Sequence, residues 1–205
     1  MGNPNLKTED ALKSELKFQY SNNKVLIGIG GFYDRIQNFI SSRVLKDYSN
    51  MTIGASGVKM YSNIDYATIT GAEATIVWQP VKSFQLVAAS KYTYGVDNKN
   101  MPLQLIPPFK VSSSVSYTYK KLKMELEDEW AAAQHKINPD FGETPTPSWN
   151  VMNVRLNYNF RLAKTDLNLS SGVDNIFDKT YTEHLDWGKI PRIGRNFYLS
   201  AILNF

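Results

Sequence analysis

Apolar and polar residues alternate along most of this chain. In "VMNVRLNYNF", residues 151–160, Met152, Val154, Leu156, Tyr158 and Phe160 fall on one side, and Asn153, Arg155, Asn157 and Asn159 on the other. A helix would fold those asparagines and Arg155 into its apolar stripe, whereas a strand keeps the two sets apart. The same period recurs at 109–119, with Phe109, Val111, Val115, Tyr117 and Tyr119 opposite Lys110, Ser112, Ser114, Ser116 and Thr118. It recurs at 122–132, with Leu122, Met124, Leu126, Trp130 and Ala132 opposite Lys123, Glu125, Glu127 and Glu129, and again at 84–94 and 165–175. Weaker alternation predicts strands at 12–20, 24–36 and 66–79, and a last one over 196–205 with Phe197, Leu199, Ala201, Leu203 and Phe205 on one face. That makes about nine strands, several of about the 9–11 residues that cross a bilayer. One residue breaks the pattern. Asp128 falls in the apolar register between Leu126 and Trp130, where a charge is costly, so a bulge or shifted register is expected nearby.

The connections alternate as well. Short ones at 21–24, 79–83, 119–123 and 161–165 are separated by long ones at roughly 37–62, 96–108, 134–148 and 176–194. Outer-membrane barrels have short periplasmic turns and long extracellular loops, whereas soluble barrels and sandwiches mix loop lengths. Soluble sandwich strands alternate too. Here, however, the polar faces mix Ser, Asn, Lys and Glu as a wet lumen would. Trp78, Tyr92, Tyr94, Tyr119, Tyr158 and Phe160 stand near strand ends, where aromatic girdles meet the membrane interfaces. The predicted fold is therefore all-β, an antiparallel up-and-down transmembrane β-barrel segment in a bacterial outer membrane with a periplasmic C-terminus.

Composition narrows the function. The chain has 205 residues, 42% hydrophobic and 13% aromatic, with no cysteine, and a mean hydropathy of −0.35. No apolar run approaches the ~18–20 residues of a membrane helix, which leaves barrels open because their strands alternate. Without cysteine there is no disulfide framework or thiolate metal site. The net charge of +4 is scattered rather than clustered, which argues against a nucleic-acid partner. The opening "MGNPNLKTEDALK" has no apolar core or cleavage site and is not a secretory signal. Either a signal was removed with a longer N-terminal part, or this is not an outer-membrane protein.

Catalytic chemistry is not expected. The two histidines, His135 and His184, both fall in long loops, with no Ser-His-acid set and no metal-spaced pair. Gly28, Gly30 and Gly31 in "IGIGGF" lack the helix and Lys-Ser/Thr of a phosphate loop and read as a closely packed strand. Met51, Met60 and Met101 have no spacing that favours copper. No catalytic residue, metal or cofactor is expected. Glu125, Glu127 and Glu129 read as a wetted lumen face balanced by neighbouring Lys and Arg.

Several segments resemble a known family. "GNPNLKTE" (2–9), "YSNIDYATITGAE" (61–73), "LIPPFK" (105–110), "VDNIFDKTYTEHL" (173–185) and "IPRIGRNFYLSAILNF" (190–205) are similar, in order, to the C-terminal portion of TonB-dependent outer-membrane receptors. Thr8 stands where proline is usual and Ala72 where valine is usual. The resemblance implies that residues 1–205 belong to a barrel of about 22 strands, closed by a plug domain bearing a TonB box, both absent here. It implies import of a scarce solute, a ferric siderophore above all. The implied partners are outer-membrane lipid, the remaining strands and plug, TonB indirectly through that plug, and a metal-chelate or other small-molecule substrate. His184, Trp187, Lys189 and Arg192 become candidate contacts for an anionic ferric chelate. Phe197, Leu199, Leu203 and Phe205 resemble the signal read by the barrel-assembly machinery, which would join an open edge by strand addition. With about nine antiparallel strands the first and last run the same way, so both edges are expected to stay open in this chain. The alternative is a non-transporting structural or adhesive outer-membrane barrel domain.

Overall fold

The computed structural model describes residues 3–45, 57–162 and 165–204. Nine strands form one sheet: β1 (Asp10–Ser21), β2 (Val25–Gln37), β5 (Tyr66–Val81), β6 (Phe84–Asp97), β7 (Lys110–Tyr119), β8 (Leu122–Ala131), β9 (Trp149–Leu162), β10 (Thr165–Asp174) and β11 (Asn196–Asn204). They lie side by side in that order, and each neighbouring pair is antiparallel. All nine predicted strands are present. β1 and β11 are the two ends of the sheet, and every residue of β1 is exposed, so the edges stay open as expected.

One predicted loop contains more structure than its sequence announced. Within 37–62 the chain forms a separate hairpin of β3 (Ile40–Leu45) and β4 (Val58–Asn63). "ISSRVL" has no clean period of two, which hid it. The Asn63 amide anchors its base, donating to Lys7 O at 2.9 Å and Asn38 O at 2.6 Å. Met51 lies outside the described residues.

The two faces of the sheet differ in kind. Leu126, Leu156, Tyr158, Phe160, Phe197 and Leu199 are exposed on one face, and no second layer of the described residues covers them. The buried apolar residues Ala67, Leu103, Ala131, Trp149 and Val151 lie near the long-loop end instead. Aromatic rings gather at two levels of the exposed face. Trp78–Phe84 and Tyr158–Phe160 meet near the short turns, at 5.9 and 4.4 Å. Tyr92–Phe109 and Phe109–Trp130 meet near the long loops, at 6.5 and 6.0 Å. From Phe109 to Tyr119 is about ten residues at ~3.3 Å each; tilted by ~40°, they rise ~25 Å, the height of the apolar band of an outer-membrane barrel.

The opposite face is laced with ion pairs. Arg155 meets Glu127 and Lys123 meets Glu125, each at 2.6 Å, Lys110 meets Glu129 at 2.8 Å, and Lys17 meets Glu73 at 3.3 Å. Such water-accessible pairs contribute little individually. Together they hold the glutamate row in a neutralised, hydrated wall. Glycine matters where a ring crosses it: Tyr198 lies over its cross-strand partner Gly172, where a Cβ would stand 2.5–2.7 Å from the ring and its hydroxyl.

The bulge expected near Asp128 is absent. Register runs unbroken through Ser113↔Asp128↔Met152 on both sides of β8. Asp128 stays on the apolar face and accepts a hydrogen bond from Asn150 Nδ2 at 2.7 Å. Two features remove the need for a bulge: this polar partner on the adjacent strand, and a level just beneath the ring of Trp130, where a charge costs less than at mid-depth.

Candidate functional site

Antiparallel pairing brings every long connection to one end of the sheet. There the loops 98–109, 132–148 and 175–195 lock onto one another through a few buried polar groups. Glu143 is the hub. Its Oε1 accepts from Leu105 N at 2.6 Å and its Oε2 from Asn138 N at 2.8 Å. Leu105 adopts φ 59, in the left-handed region, which turns its N–H toward that carboxylate. Asn138 also caps the 3-10 turn Pro139–Phe141, its Oδ1 accepting from Phe141 N at 3.1 Å. Gln134, itself buried, donates to Ile106 O at 2.9 Å and pairs through its backbone with Thr146.

The loop 175–195 is pinned into this assembly by His184. The ring is buried, with Nδ1 2.9 Å from Thr146 Oγ1 and Nε2 3.6 Å from Glu143 Oε1. Lys189 Nζ donates to Thr146 Oγ1 at 2.9 Å and to His184 O at 2.6 Å. Thr146 Oγ1 accepts from Lys189 and can give its own hydrogen to Nδ1, and that tautomer turns the Nε2 hydrogen towards Glu143. Burial and then the Lys189 ammonium push the His184 pKa below its usual value, against a smaller opposing pull from Glu143. The imidazole is neutral at neutral pH.

Towards the polar face of the sheet the same loop presents charge and rings. Arg192 grips Asp186 with two nitrogens and approaches Glu183 at 3.8 Å. The Arg192 contact holds the Asp186 carboxyl below its ordinary range. Tyr181 stacks on Trp149 at 4.5 Å, and Lys110 Nζ stands 5.1 Å from the Trp149 ring and 3.5 Å from Glu183. The result is a mouth of partly exposed cations, carboxylates and aromatic faces above the charged wall.

Of the residues singled out from sequence, His184 and Lys189 come together in the buried pin. Arg192 sits apart from them, half exposed, on Asp186. Trp187 begins the short turn Trp187–Lys189. Phe197, Leu199 and Leu203 project exposed from the edge strand, and Phe205 lies outside the described residues. Glu143, Thr146, Trp149 and Tyr181 had no local signal, since their roles arise only when separate loops meet. Asn175 did have one, the "VDNIFDK" segment. It is buried at φ 52, its N–H donates to Asn153 Oδ1 at 2.8 Å, and its amide closes the turn through Lys179. Among the described residues no group of three or more His, Cys, Asp or Glu could hold a metal ion.

Residues 1–176 match the family model described as TonB dependent receptor-like, beta-barrel. The chain belongs to that family. It is 25% identical over 198 residues to the ferric enterobactin receptor of Pseudomonas aeruginosa, covering 87% of this chain and 26% of that protein. It is 23% identical to the iron-regulated outer membrane virulence protein of Vibrio cholerae, covering 100% of this chain and 32% of that one. Among solved structures, the copper transporter OprC superposes with a TM-score of 0.83 at 24% identity, over 97% of this chain and 31% of that chain. The siderophore receptor PirA from Acinetobacter baumannii gives 0.72 at 18% identity, over 96% and 32%. This TonB-dependent receptor barrel segment thus spans about a quarter to a third of the length of its curated relatives.

Proposed function

We propose that this chain is the C-terminal part of the barrel of an outer-membrane active-transport receptor, and that the intact receptor imports a ferric siderophore or a similar scarce chelate. The observation that carries the reading is the family match on a sheet whose uncovered face is apolar, whose other face is ion-paired, and whose long loops all gather at one end. The segment supplies wall and extracellular loops, while energy coupling through TonB belongs to a plug outside it. Its open edges, β1 and β11, take the remaining strands, and Phe197, Leu199, Leu203 and Phe205 form the signal for the assembly machinery. The C-terminus is periplasmic.

At the mouth, Arg192 is the group we assign to an anionic chelate, while His184 and Lys189 fix the loop that carries it and Trp187. The names of the relatives, ferric enterobactin receptors among them, favour such a ligand. The test is uptake of radio-iron chelates by iron-starved cells that express the intact receptor. Uptake that stops on adding a protonophore, and falls several-fold in Arg192→Glu, is expected. Surface expression with no protonophore-sensitive uptake of any chelate would instead identify a structural or adhesive barrel.

A further inference from the structure

The wall of the sheet is not zipped to its full height. Pairing between β6 and β7 ends at Lys91↔Lys110, whereas β6 continues to Asp97. Above that point a groove of about 220 Å³ opens between the upper part of β6 and the segments 106–109 and 132–136. Tyr92, Tyr94, Pro107, Pro108 and Phe109 line it with apolar surface, and Lys136 stands at its rim. Tyr92, Phe109 and Trp130 form the upper aromatic level of the uncovered face, so the groove lies where hydrocarbon gives way to headgroups on the long-loop side.

The cation at its rim is held ready. Lys136 Nζ lies 4.5 Å from the centre of the Tyr94 ring and 3.5 Å from the Tyr92 hydroxyl. Both contacts steer the ammonium along the aromatic surface without neutralising it. None of the residues lining the groove is Asp or Glu. On the same face a second cation, Arg35, is held 4.1 Å over the ring of Tyr66. An apolar cleft at interface depth, capped by a positive charge with no carboxylate among the groove's lining residues, complements an amphiphile with a negative head.

We infer that this groove binds one anionic, phosphate-bearing lipid of the outer leaflet, its acyl chain lying along Pro107, Pro108 and Phe109 and its phosphate meeting Lys136. The inference rests on the outer-membrane location proposed above. If that location is wrong, the protein needs no detergent. If only the groove is wrong, a detergent-requiring receptor is indifferent to headgroup charge.

The test is native mass spectrometry of the intact receptor in detergent, titrated with bisphosphorylated lipid A, with its dephosphorylated form, and with inorganic phosphate alone. Retention of phosphorylated lipid is expected, weakened about tenfold by Lys136→Gln, as loss of a charge-assisted contact implies, and restored by Lys136→Arg. Lys99→Gln, in the 98–100 turn outside the groove, should leave it unchanged. Tyr94→Leu reports on the cradle separately and should weaken binding while the Lys136 charge remains. Equal retention of the dephosphorylated lipid, retention unaffected by Lys136→Gln and Tyr94→Leu, or binding of free phosphate alone would each overturn the proposal.

Discussion

Replacing Glu143 by alanine should release the loop cluster without unfolding the sheet. The carboxylate accepts two backbone hydrogen bonds, from Leu105 at 2.6 Å and Asn138 at 2.8 Å, and faces the His184 ring at 3.6 Å. Its side chain is only 8% exposed, so water cannot simply take its place. Hydrogen bonds to a charged group contribute ~1.5–3 kcal/mol each, so losing two costs about 3–6 kcal/mol of local stability. Leu105 adds to this, because nothing then holds its left-handed backbone. The cost falls on the loops alone, since Glu143 touches no pair of the nine-stranded ladder. Hydrogen exchange followed by mass spectrometry should show exchange in 103–107, 136–143 and 182–190 faster by about two to four orders of magnitude, the factor implied by that energy. Exchange in β7–β10 should be unchanged. Unaltered protection at residues 105 and 138 in Glu143→Ala would refute the hub. A lowered melting temperature of the whole sheet would refute its locality.

The same cluster should depend on pH. The folded His184 pKa lies below its unfolded value near 6.5. The unfolded loop therefore binds more protons as pH falls below that value, and the pin weakens until the folded pKa is passed. Loop protection should be full above pH ~7 and decline through the acid range, and His184→Gln should flatten the profile; a profile unchanged by that substitution would contradict the assignment. Gly172→Val should force Tyr198 off its cross-strand seat, where a Cβ already falls within 2.7 Å of its ring, and destabilise the β10–β11 edge by ~1–3 kcal/mol in urea unfolding in micelles; an unchanged midpoint would show that the ring does not lie there. Asp128→Leu should raise stability in bilayers by up to about 1 kcal/mol, since it removes a carboxylate from the lipid face. A loss would mean that the Asn150 contact outweighs desolvation.

How much of this was legible in the chain follows from where each constraint resides. The nine strands and their faces were readable because each is a local period of two, as in Met152 to Phe160 or Leu122 to Trp130. The alternation of short and long connections added the orientation of the loops. The β3–β4 hairpin was not readable, because Ile40–Leu45 lies against the Pro139–Phe141 turn and reaches Gln104 through Ser41, contacts with other loops that impose no period of two. Asp128 misled for a different reason. Its position on the apolar face was correctly inferred, but its remedy is Asn150, 22 residues away, and pairing across strands leaves no trace in a local window. The loop cluster is the extreme case, since Glu143, Thr146 and His184 acquire their roles only where three loops converge. His184 drew notice as one of two histidines, but its burial on Thr146 and Glu143 came from the fold.

The account stands on which face of the sheet meets hydrocarbon, and β9 tests it most directly. This segment has no cysteine, so, once any cysteine elsewhere in the intact receptor is replaced by serine, single cysteines can replace each residue from Met152 to Phe160, labelled with an environment-sensitive fluorophore and reconstituted into vesicles. A quencher carried on lipid acyl chains should dim the labels at 152, 154, 156, 158 and 160 and spare those at 153, 155, 157 and 159, with a water-borne quencher giving the reverse. Labels at the even positions shielded from both quenchers, as beneath a second layer of protein, would contradict it.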